Sequence, residues 1–418
     1  MPELLAPAGN FEKMQAAILY GADAVYLAGE RFGMRAAADN FNKEELALAI
    51  SYAHERGVRV YLTVNVMPHE GEYTALRSYF SELSSVKPDA LIVADLGVLA
   101  LAKEMLPDVD IHISTQANAV SAAACCAYHA LGASRVVLAR ELTMREILEI
   151  RRNTPGELEL EAFIHGSMCI SYSGRCLLSN FFTGRDANRG MCTQPCRWNY
   201  TISERHYEIT EEKRPDQPIP LEEINGETFF LSSRDTCMIE HIPALMEAGI
   251  DSFKIEGRMK SSYYTAVVTN TYRMAMDAYS AGNYSFDPAW KRELEGVSHR
   301  AYHTGFYFDE PTETANTTDF NGYIKENAYL ATVASYDEKT GLARMIQKNK
   351  FTCGARVDLL TPGRVGRPLA VEALYDENMN PIESVPHPQM PFYMKMPFAV
   401  RGGDILRAAI QEEGESHD

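Results

Sequence analysis

No stretch of this 418-residue chain is apolar for long enough to cross a bilayer, and its opening, MPELLAPAGNF, has neither the basic nor the apolar part of a secretory leader. A cytoplasmic protein with no membrane partner is expected, and in that compartment thiols stay unpaired and open to metal. Positive charge is short as well. The 40 Lys and Arg face 57 Asp and Glu, for a net charge of −17. That balance excludes the broad positive field of a protein that grips nucleic acid indiscriminately. Also missing are the usual hydrolytic signatures: no His-Glu-x-x-His, no Gly-x-Ser-x-Gly and no known cysteine-nucleophile motif. A pairing of Cys169 with His165 is the nearest approach to an activated nucleophile, and it would leave three neighbouring thiols without a purpose.

Those thiols mark the stretch on which the chain turns. Glu161–Trp198 reads EAFIHGSMCISYSGRCLLSNFFTGRDANRGMCTQPCRW and holds four of the eight cysteines, Cys169, Cys176, Cys192 and Cys196, spaced C-x6-C-x15-C-x3-C. Between them lie Ser171, Gly174, Thr183, Gly184, Asn188 and Pro195, turn formers that offer no apolar face to bury. Order in such a segment has to come from elsewhere, and thiolates closing on a metal centre would supply it. Buried structural thiols are the alternative. That role suits Cys125 and Cys126, in an Ala-rich helical run, and Cys353, in a strand-like run, better than it suits these four. Spacing alone leaves zinc and iron–sulfur level, because only the second pair is as close as a zinc knuckle and the pattern is not that of a ferredoxin. Cys237, in SSRDTCMI, is a substitute for Cys196 as fourth ligand.

From Glu3 to Tyr279, short β-rich runs alternate with amphipathic ones. Strands are expected at Glu3–Ala6, Ala24–Ala28, Arg59–Asn65, Ala90–Ala94, Asp110–Ser114, Arg135–Ala139, Leu158–Ile164, Thr228–Ser232 and Asp251–Lys254. Several intervening helices stop at a glycine, at Gly21, Gly57, Gly132 and Gly249. Repeated βα units with near-continuous apolar strands imply a parallel sheet covered on both faces. Eight or nine of them imply closure into a (β/α)8-type, TIM-like barrel, incomplete or decorated. This α/β domain is expected over 1–285, carrying the cysteine loop (161–198) and an insertion (199–227). A linker (286–322), a small antiparallel β-barrel (323–410) with turns at Asp337–Gly341 and Pro362–Gly363, and a disordered acidic tail (411–418) complete the layout.

In such a barrel the reacting groups stand at the C-terminal ends of the strands. Those ends carry Asn65, Asp95, Ser114, Gln116, Arg140, Glu141, His165, Asp235, Glu256 and Arg258, a ring too polar for a purely structural face. The cysteine loop leaves from the same face, just after His165. For any one of these residues a helix cap or surface ion pair is the plain role, and it is the role expected of Asp235. Lys254 reads as a pocket lysine or as the partner of Glu256.

The runs EAFIHGSMCISYSGRCLLS, MCTQPCRW, FKIEGRMKS (Phe253–Ser261) and ELLAPAGN closely resemble the collagenase-like peptidase family of unassigned catalytic type, and the resemblance covers nearly the whole chain. Members with a C-terminal extension, which this chain looks most like, carry out prephenate-dependent hydroxylation of the tRNA wobble uridine. Relatives hydroxylate a ribosomal RNA cytidine or a ubiquinone precursor, and the latter hold a 4Fe–4S cluster. The resemblance therefore implies such a cluster on Cys169, Cys176, Cys192 and either Cys196 or Cys237, with zinc as the alternative. It implies tRNA as partner, met by a local patch of Arg175, Arg185, Arg189 and Arg197 with Trp198 for stacking. It also implies prephenate as co-substrate, whose carboxylates suit the forked donors of Arg35, Arg140 and Arg258. His165 and Glu256 are then the proton-transfer groups, flanked in the site by Arg140 and Arg258. The expected function is hydroxylation of the wobble uridine to 5-hydroxyuridine. A collagenase-like peptidase and a zinc-stabilised RNA-binding protein without catalysis are the alternatives. Nothing in the sequence sets the oligomeric state.

Overall fold

The computed structural model describes residues 1–34, 39–169, 171–172, 174–198, 207–209, 219–221, 233–308, 324 and 327–410. They form two compact units: Met1–Phe11, Asp23–Met259 and His299–Ile324 make the first, and Glu12–Ala22, Lys260–Ser298 and Lys325–Asp418 the second. In chain order the strands of the first unit are β1 (Glu3–Pro7), β2 (Ala24–Leu27), β3 (Arg59–Val64), β4 (Ala90–Val93), β5 (Asp110–Ile113), β6 (Arg135–Val137), β7 (Glu159–Ser167), β8 (Tyr207–Ile209), β9 (Ile219–Leu221), β10 (Asp235–Cys237), β11 (Ser252–Ile255) and β12 (Tyr302–His303). Eight of them, β1 to β7 and β11, run parallel in the order β11-β1-β2-β3-β4-β5-β6-β7, and β11 pairs back onto β7 to close the barrel. The closed (β/α)8 barrel read from the sequence is the observed fold.

Local chemistry sets the elements. The strands are short and almost wholly buried, as parallel strands covered on both faces must be. The helices that follow start on side-chain caps. Asn42 and Thr143 form reciprocal capping boxes with Glu45 and Glu146 ahead of α2 (Lys43–His54) and α6 (Met144–Arg152). Asp95 and Ser121 cap α4 (Leu96–Met105) and α5 (Ala122–Ala130), while α3 (Tyr73–Leu83) starts without a side-chain cap. The four glycines expected as helix stops all have positive φ. The last two helices of this unit are α7 (Leu178–Thr183), inside the cysteine loop, and α8 (Ile242–Glu247).

The structure departs from the sequence reading at β10 (Asp235–Cys237), at the Asp235 side chain and at Cys353. The strand expected at 228–232 lies outside the described residues, as does the tail at 411–418. The strand that is described there, β10, runs antiparallel to the extended end of β7, Asp235 opposite Ser167 and Cys237 opposite His165. Asp235 is neither a cap nor a surface partner: it is buried, and the Arg300 guanidinium donates to it at 2.7 and 2.9 Å. A carboxylate so enclosed needs a partner of its own, and the short β10–β12 pairing brings Arg300 to it. Cys353, expected among buried thiols, is exposed just beyond a strand, whereas Cys125 is fully buried in α5 and burial pushes its thiol up to about 11.

The second unit gathers α1 (Phe11–Leu19) from Glu12 onward, α9 (Ser262–Ser280), α10 (Pro288–Glu295) and β13 (Tyr329–Asp337), β14 (Leu342–Gln347), β15 (Phe351–Thr352), β16 (Arg356–Leu360), β17 (Arg367–Ala370), β18 (Leu374–Tyr375), β19 (Pro381–Ile382), β20 (Ser384–Val385), β21 (Pro391–Lys395) and β22 (Ile405–Ala408). Eight of these strands make a curled antiparallel sheet in the order β17-β16-β22-β13-β14-β21-β18-β19. Burial alternates along β14 and β21, the period of a sheet with one face on a core. That core is built on Val333, Met345, Leu359, Phe392 and Leu406. The hairpin expected at Asp337–Gly341 joins β13 to β14, and Asp337 closes its turn by accepting from Lys339 N and Thr340 Oγ1, each at 2.9 Å.

Candidate active site

The barrel interior is charged as well as apolar. Leu5, Ala24, Tyr26, Tyr61, Ala90 and Ile92 pack together there. Around them runs an ion network that sequence reasoning missed. Arg135, fully buried at the start of β6, donates to Glu3 at 2.7 Å and to Glu161 at 3.0 Å, and the Lys254 ammonium donates to Glu161 at 2.8 Å. Tyr61 OH donates to Glu3 at 2.6 Å. Burial opposes charge on Glu161, but Lys254 and Arg135 outweigh it and hold the carboxyl below the usual carboxylate range. Burial, helped by Arg135 and Lys254, pushes His112 well below the usual imidazole value, so it stands neutral with its ring edge-on to Tyr61. Lys254, then, is committed to Glu161 rather than to Glu256. The sequence signal was present in the charged residues interrupting apolar strands at Glu3, Arg135 and Glu161, which β-propensity alone disfavours.

Above this layer, at the C-terminal end of the strands, is a cavity of about 70 Å³. Its wall includes Tyr26, Thr63, Asn65, Ser114, Gln116, Arg140, Phe163, Lys254, Glu256 and Arg258. The sequence named Arg140, Glu256 and Arg258, and the fold brings all three to one cavity. Arg258 Nη1 donates to Thr63 Oγ1 at 3.1 Å, and Nη2 donates to the Met34 carbonyl. Arg140 Nη1 donates to Ser167 O at 2.9 Å, with its guanidinium 5.2 Å from the centre of the Phe163 ring. Tyr26 OH donates to Ile255 O at 2.9 Å and to Glu256 Oε2 at 3.3 Å. Gly166, at φ +110°, lets β7 pass Glu256: a side chain there would collide with the Glu256 carbonyl. With Lys254 balanced by Glu161, the lining still sets two guanidinium groups, Arg140 and Arg258, against one carboxylate, Glu256, a balance that can attract an anion between the low-dielectric walls of Tyr26 and Phe163. His165 stands outside this lining, buried, with its ring 5.3 Å from that of Tyr302. Arg35 lies outside the described residues.

The cysteine loop meets the lining of this cavity at Gln116. Gly174, at φ +73°, lies so close to Gln116 that a Cβ would sit 2.8 Å from the Gln116 carbonyl oxygen. Asn188 Nδ2 donates to the Cys176 carbonyl at 3.1 Å, and Ser179 Oγ lies 3.9 Å from Cys192 Sγ. Cys169, Cys176, Cys192, Cys196 and Cys237 are all half-buried, and no cysteine is in a disulfide. In kind and number these thiols fit a thiolate-held metal centre. Among the described residues, though, no three His, Cys, Asp or Glu side chains are gathered as metal ligands.

The arginines of the loop divide. Arg175 and Arg185 are exposed, while Arg189 is spent on Glu72, to which its Nη2 donates at 2.6 and 2.7 Å. The side chain of Arg197 lies outside the described residues. Trp198 is at the surface beside Phe182, their ring centres 5.7 Å apart. Phe181 and Phe182 were passed over in the sequence, although two adjacent aromatics in a turn-rich run are an anomaly that could have flagged them.

A closed parallel barrel with a cysteine loop after its seventh strand, followed by a separate antiparallel unit, is a two-part architecture that comparison with known proteins identifies. Residues 9–317 match peptidase family U32, and residues 325–407 match the peptidase family U32 C-terminal domain. The chain belongs to peptidase family U32. It is 36% identical over 410 residues to "tRNA hydroxylation protein P1" of Bacillus subtilis, covering 97% of this chain and 94% of that one. It is 36% identical over 276 residues to the "23S rRNA 5-hydroxycytidine C2501 synthase" of Escherichia coli (66% and 39% covered), and 31% identical over 373 residues to "Collagenase" of Porphyromonas gingivalis (86% of each). No helix among the described residues is long and apolar enough to cross a membrane.

Proposed function

We propose that this chain hydroxylates RNA, with the wobble uridine of tRNA as substrate, a 4Fe–4S cluster as cofactor and prephenate as co-substrate. The observation that carries the reading is the near end-to-end similarity to a tRNA hydroxylation protein, joined by a second relative named for hydroxylation of an RNA base. Replacing a ring hydrogen by hydroxyl is an oxidation that side-chain acid–base chemistry does not supply, which is why a redox-capable centre belongs in the proposal. Cys169, Cys176 and Cys192, with Cys196 or Cys237, would hold it, and binding would itself order the loop. When bound, the cluster would supply electron transfer beside the barrel mouth.

The remaining roles belong to side chains of the cavity. Arg140 and Arg258 are each anchored through one guanidinium nitrogen or more, which presets their orientation for a carboxylate. At about 70 Å³ the cavity has room for a carboxylate-bearing end of a ligand and a few atoms more. Lys254, fixed by Glu161, adds positive charge at the floor without being free to wander. Glu256 Oε2, within reach of Tyr26 OH, is the atom placed to take or return a proton at the mouth.

The test is nucleoside mass spectrometry of tRNA from a deletion strain. Wobble 5-hydroxyuridine derivatives should vanish, return with the wild-type gene and stay absent with Cys169→Ala. Anaerobically purified protein should carry iron and sulfide. Unaltered tRNA nucleosides in the deletion strain would remove the proposal. A second reading, peptidase activity, is favoured by the relative named Collagenase. It predicts gelatin cleavage by purified protein, lost in Cys169→Ala with the other cysteines intact.

A further inference from the structure

Six of the sixteen large apolar side chains exposed among the described residues fall between Tyr172 and Trp198. An apolar surface concentrated on one polar loop, rather than scattered singly, marks a contact surface. Its geometry is fixed from beneath. In α7 the side chain of Ser179 turns fully inward. Its hydroxyl accepts from Thr193 N at 3.1 Å, and its carbonyl accepts from Thr183 Oγ1 at 2.7 Å. That anchoring leaves Phe181 82% exposed and Phe182 46% exposed. The two rings meet edge to face at 5.0 Å, and Phe182 in turn lies 5.7 Å from Trp198. The Trp198 indole N–H donates to Thr193 O at 2.9 Å, which sets the orientation of the third ring on the same support.

Between Tyr172 and Trp198 the chain carries four arginines against a single acid, Asp186. Arg175 and Arg185 are exposed and make no ion pair among the described residues. The nearby acid, Asp186, is occupied as a cap, accepting from Asn188 N at 2.9 Å, and Glu72 is neutralised by Arg189. In a chain of net charge −17 this is a local positive surface set with aromatic faces.

We infer that Phe181, Phe182 and Trp198 form a stacking platform for unpaired RNA bases, with Arg175 and Arg185 on the flanking phosphates. The inference rests on the RNA reading above and goes beyond it, naming the part of the RNA that is held and the side chains that hold it. Stacking takes any base, because every base has a π-face, and it requires that the base be out of a helix. A-form duplex hides those faces, so the platform selects single-stranded loops. Aromatic rows also receive proline-rich peptides. A local excess of arginine over acid favours the polyanion instead.

The experiment uses the full-length protein purified anaerobically and the fluorescence of Trp198, the other tryptophan, Trp290, being buried. Three probes are titrated: a short oligouridylate, an RNA duplex of equal length and a proline–glycine repeat peptide. The oligouridylate should quench Trp198, the duplex should bind far more weakly, and the peptide should leave the signal unchanged. Phe181→Ala and Phe182→Ala should each weaken oligouridylate binding about tenfold. Phe181→Tyr should restore it, which separates loss of stacking from loss of fold. Equal affinity of the alanine variants, equal affinity for duplex, or quenching by the peptide overturns the platform. Wobble-nucleoside analysis in the same variants keeps the two readings apart. If the alanine variants bind as the wild type does and tRNA is still hydroxylated, the platform is wrong and the RNA reading stands. A wild type that binds none of the RNAs and leaves tRNA unmodified removes both.

Discussion

The barrel interior and the cysteine loop lie a few residues apart in the chain and are held by opposite means. Inside the barrel, Glu3, Arg135, Glu161 and Lys254 are enclosed charges that satisfy one another at 2.7 to 3.0 Å. Among the described residues, the contacts of the loop between Cys169 and Trp198 include single hydrogen bonds, a close glycine contact and one half-exposed ion pair. Enclosed pairs do little for net stability, since desolvation offsets their attraction, yet losing one partner strands the other. Loop contacts exchange easily with water and cost little to lose. The difference teaches that the cavity floor is held by enclosed charges that depend on one another, whereas the loop is held by contacts that can be lost singly.

The largest expected effect breaks the rigid side. Glu161→Gln should cost roughly 3–5 kcal/mol at neutral pH, read by denaturant unfolding, because Lys254 and Arg135 are left buried without it. The Glu161 carboxyl is held below its unfolded value of about 4.3. Its contribution is therefore present above that pH and lost as pH falls through the lower folded value. The gap between wild type and variant should close in acid, and a gap that persists there would show the ion network is not its cause.

A middle-sized effect belongs to the loop. Gly174→Ala should cost the loop roughly 1–3 kcal/mol, through positive φ and collision with the Gln116 carbonyl. Limited proteolysis should accelerate within 169–198 while the barrel unfolds at the wild-type denaturant concentration. A shift in the barrel transition of the Glu161→Gln size would erase the contrast. Smallest is Arg189→Ala, worth less than about 1 kcal/mol. Its salt dependence of RNA binding should match the wild type, whereas Arg185→Ala should lower that slope by about one.

Much of the fold was legible because it is written in local periodicity. Apolar runs such as Ala90–Val93 and capping boxes such as Asn42 with Glu45 specify strands and helices without reference to the rest of the chain. The barrel-mouth residues Arg140, Glu256 and Arg258 were legible by the same route, since strand ends follow once strands are placed. Partnerships were not legible. Nothing local says that Lys254 turns to Glu161, 93 residues away, or that Asp235 meets Arg300, 65 residues away, because side-chain pairing is settled by which strands become neighbours. Nor could order along the chain show that Arg189 is spent on Glu72 while Arg185 faces solvent.

What the sequence determined by itself is the repeat of βα units, the cysteine spacing and the polar ring at the strand ends, all consequences of short-range pattern. Only the tertiary structure decided that β11 closes on β7, that four charges share the enclosed floor, and that Gly174 lies over Gln116. Closure, burial and approach depend on contacts between residues far apart in the chain. Their free energies are realised only when the barrel forms and excludes water.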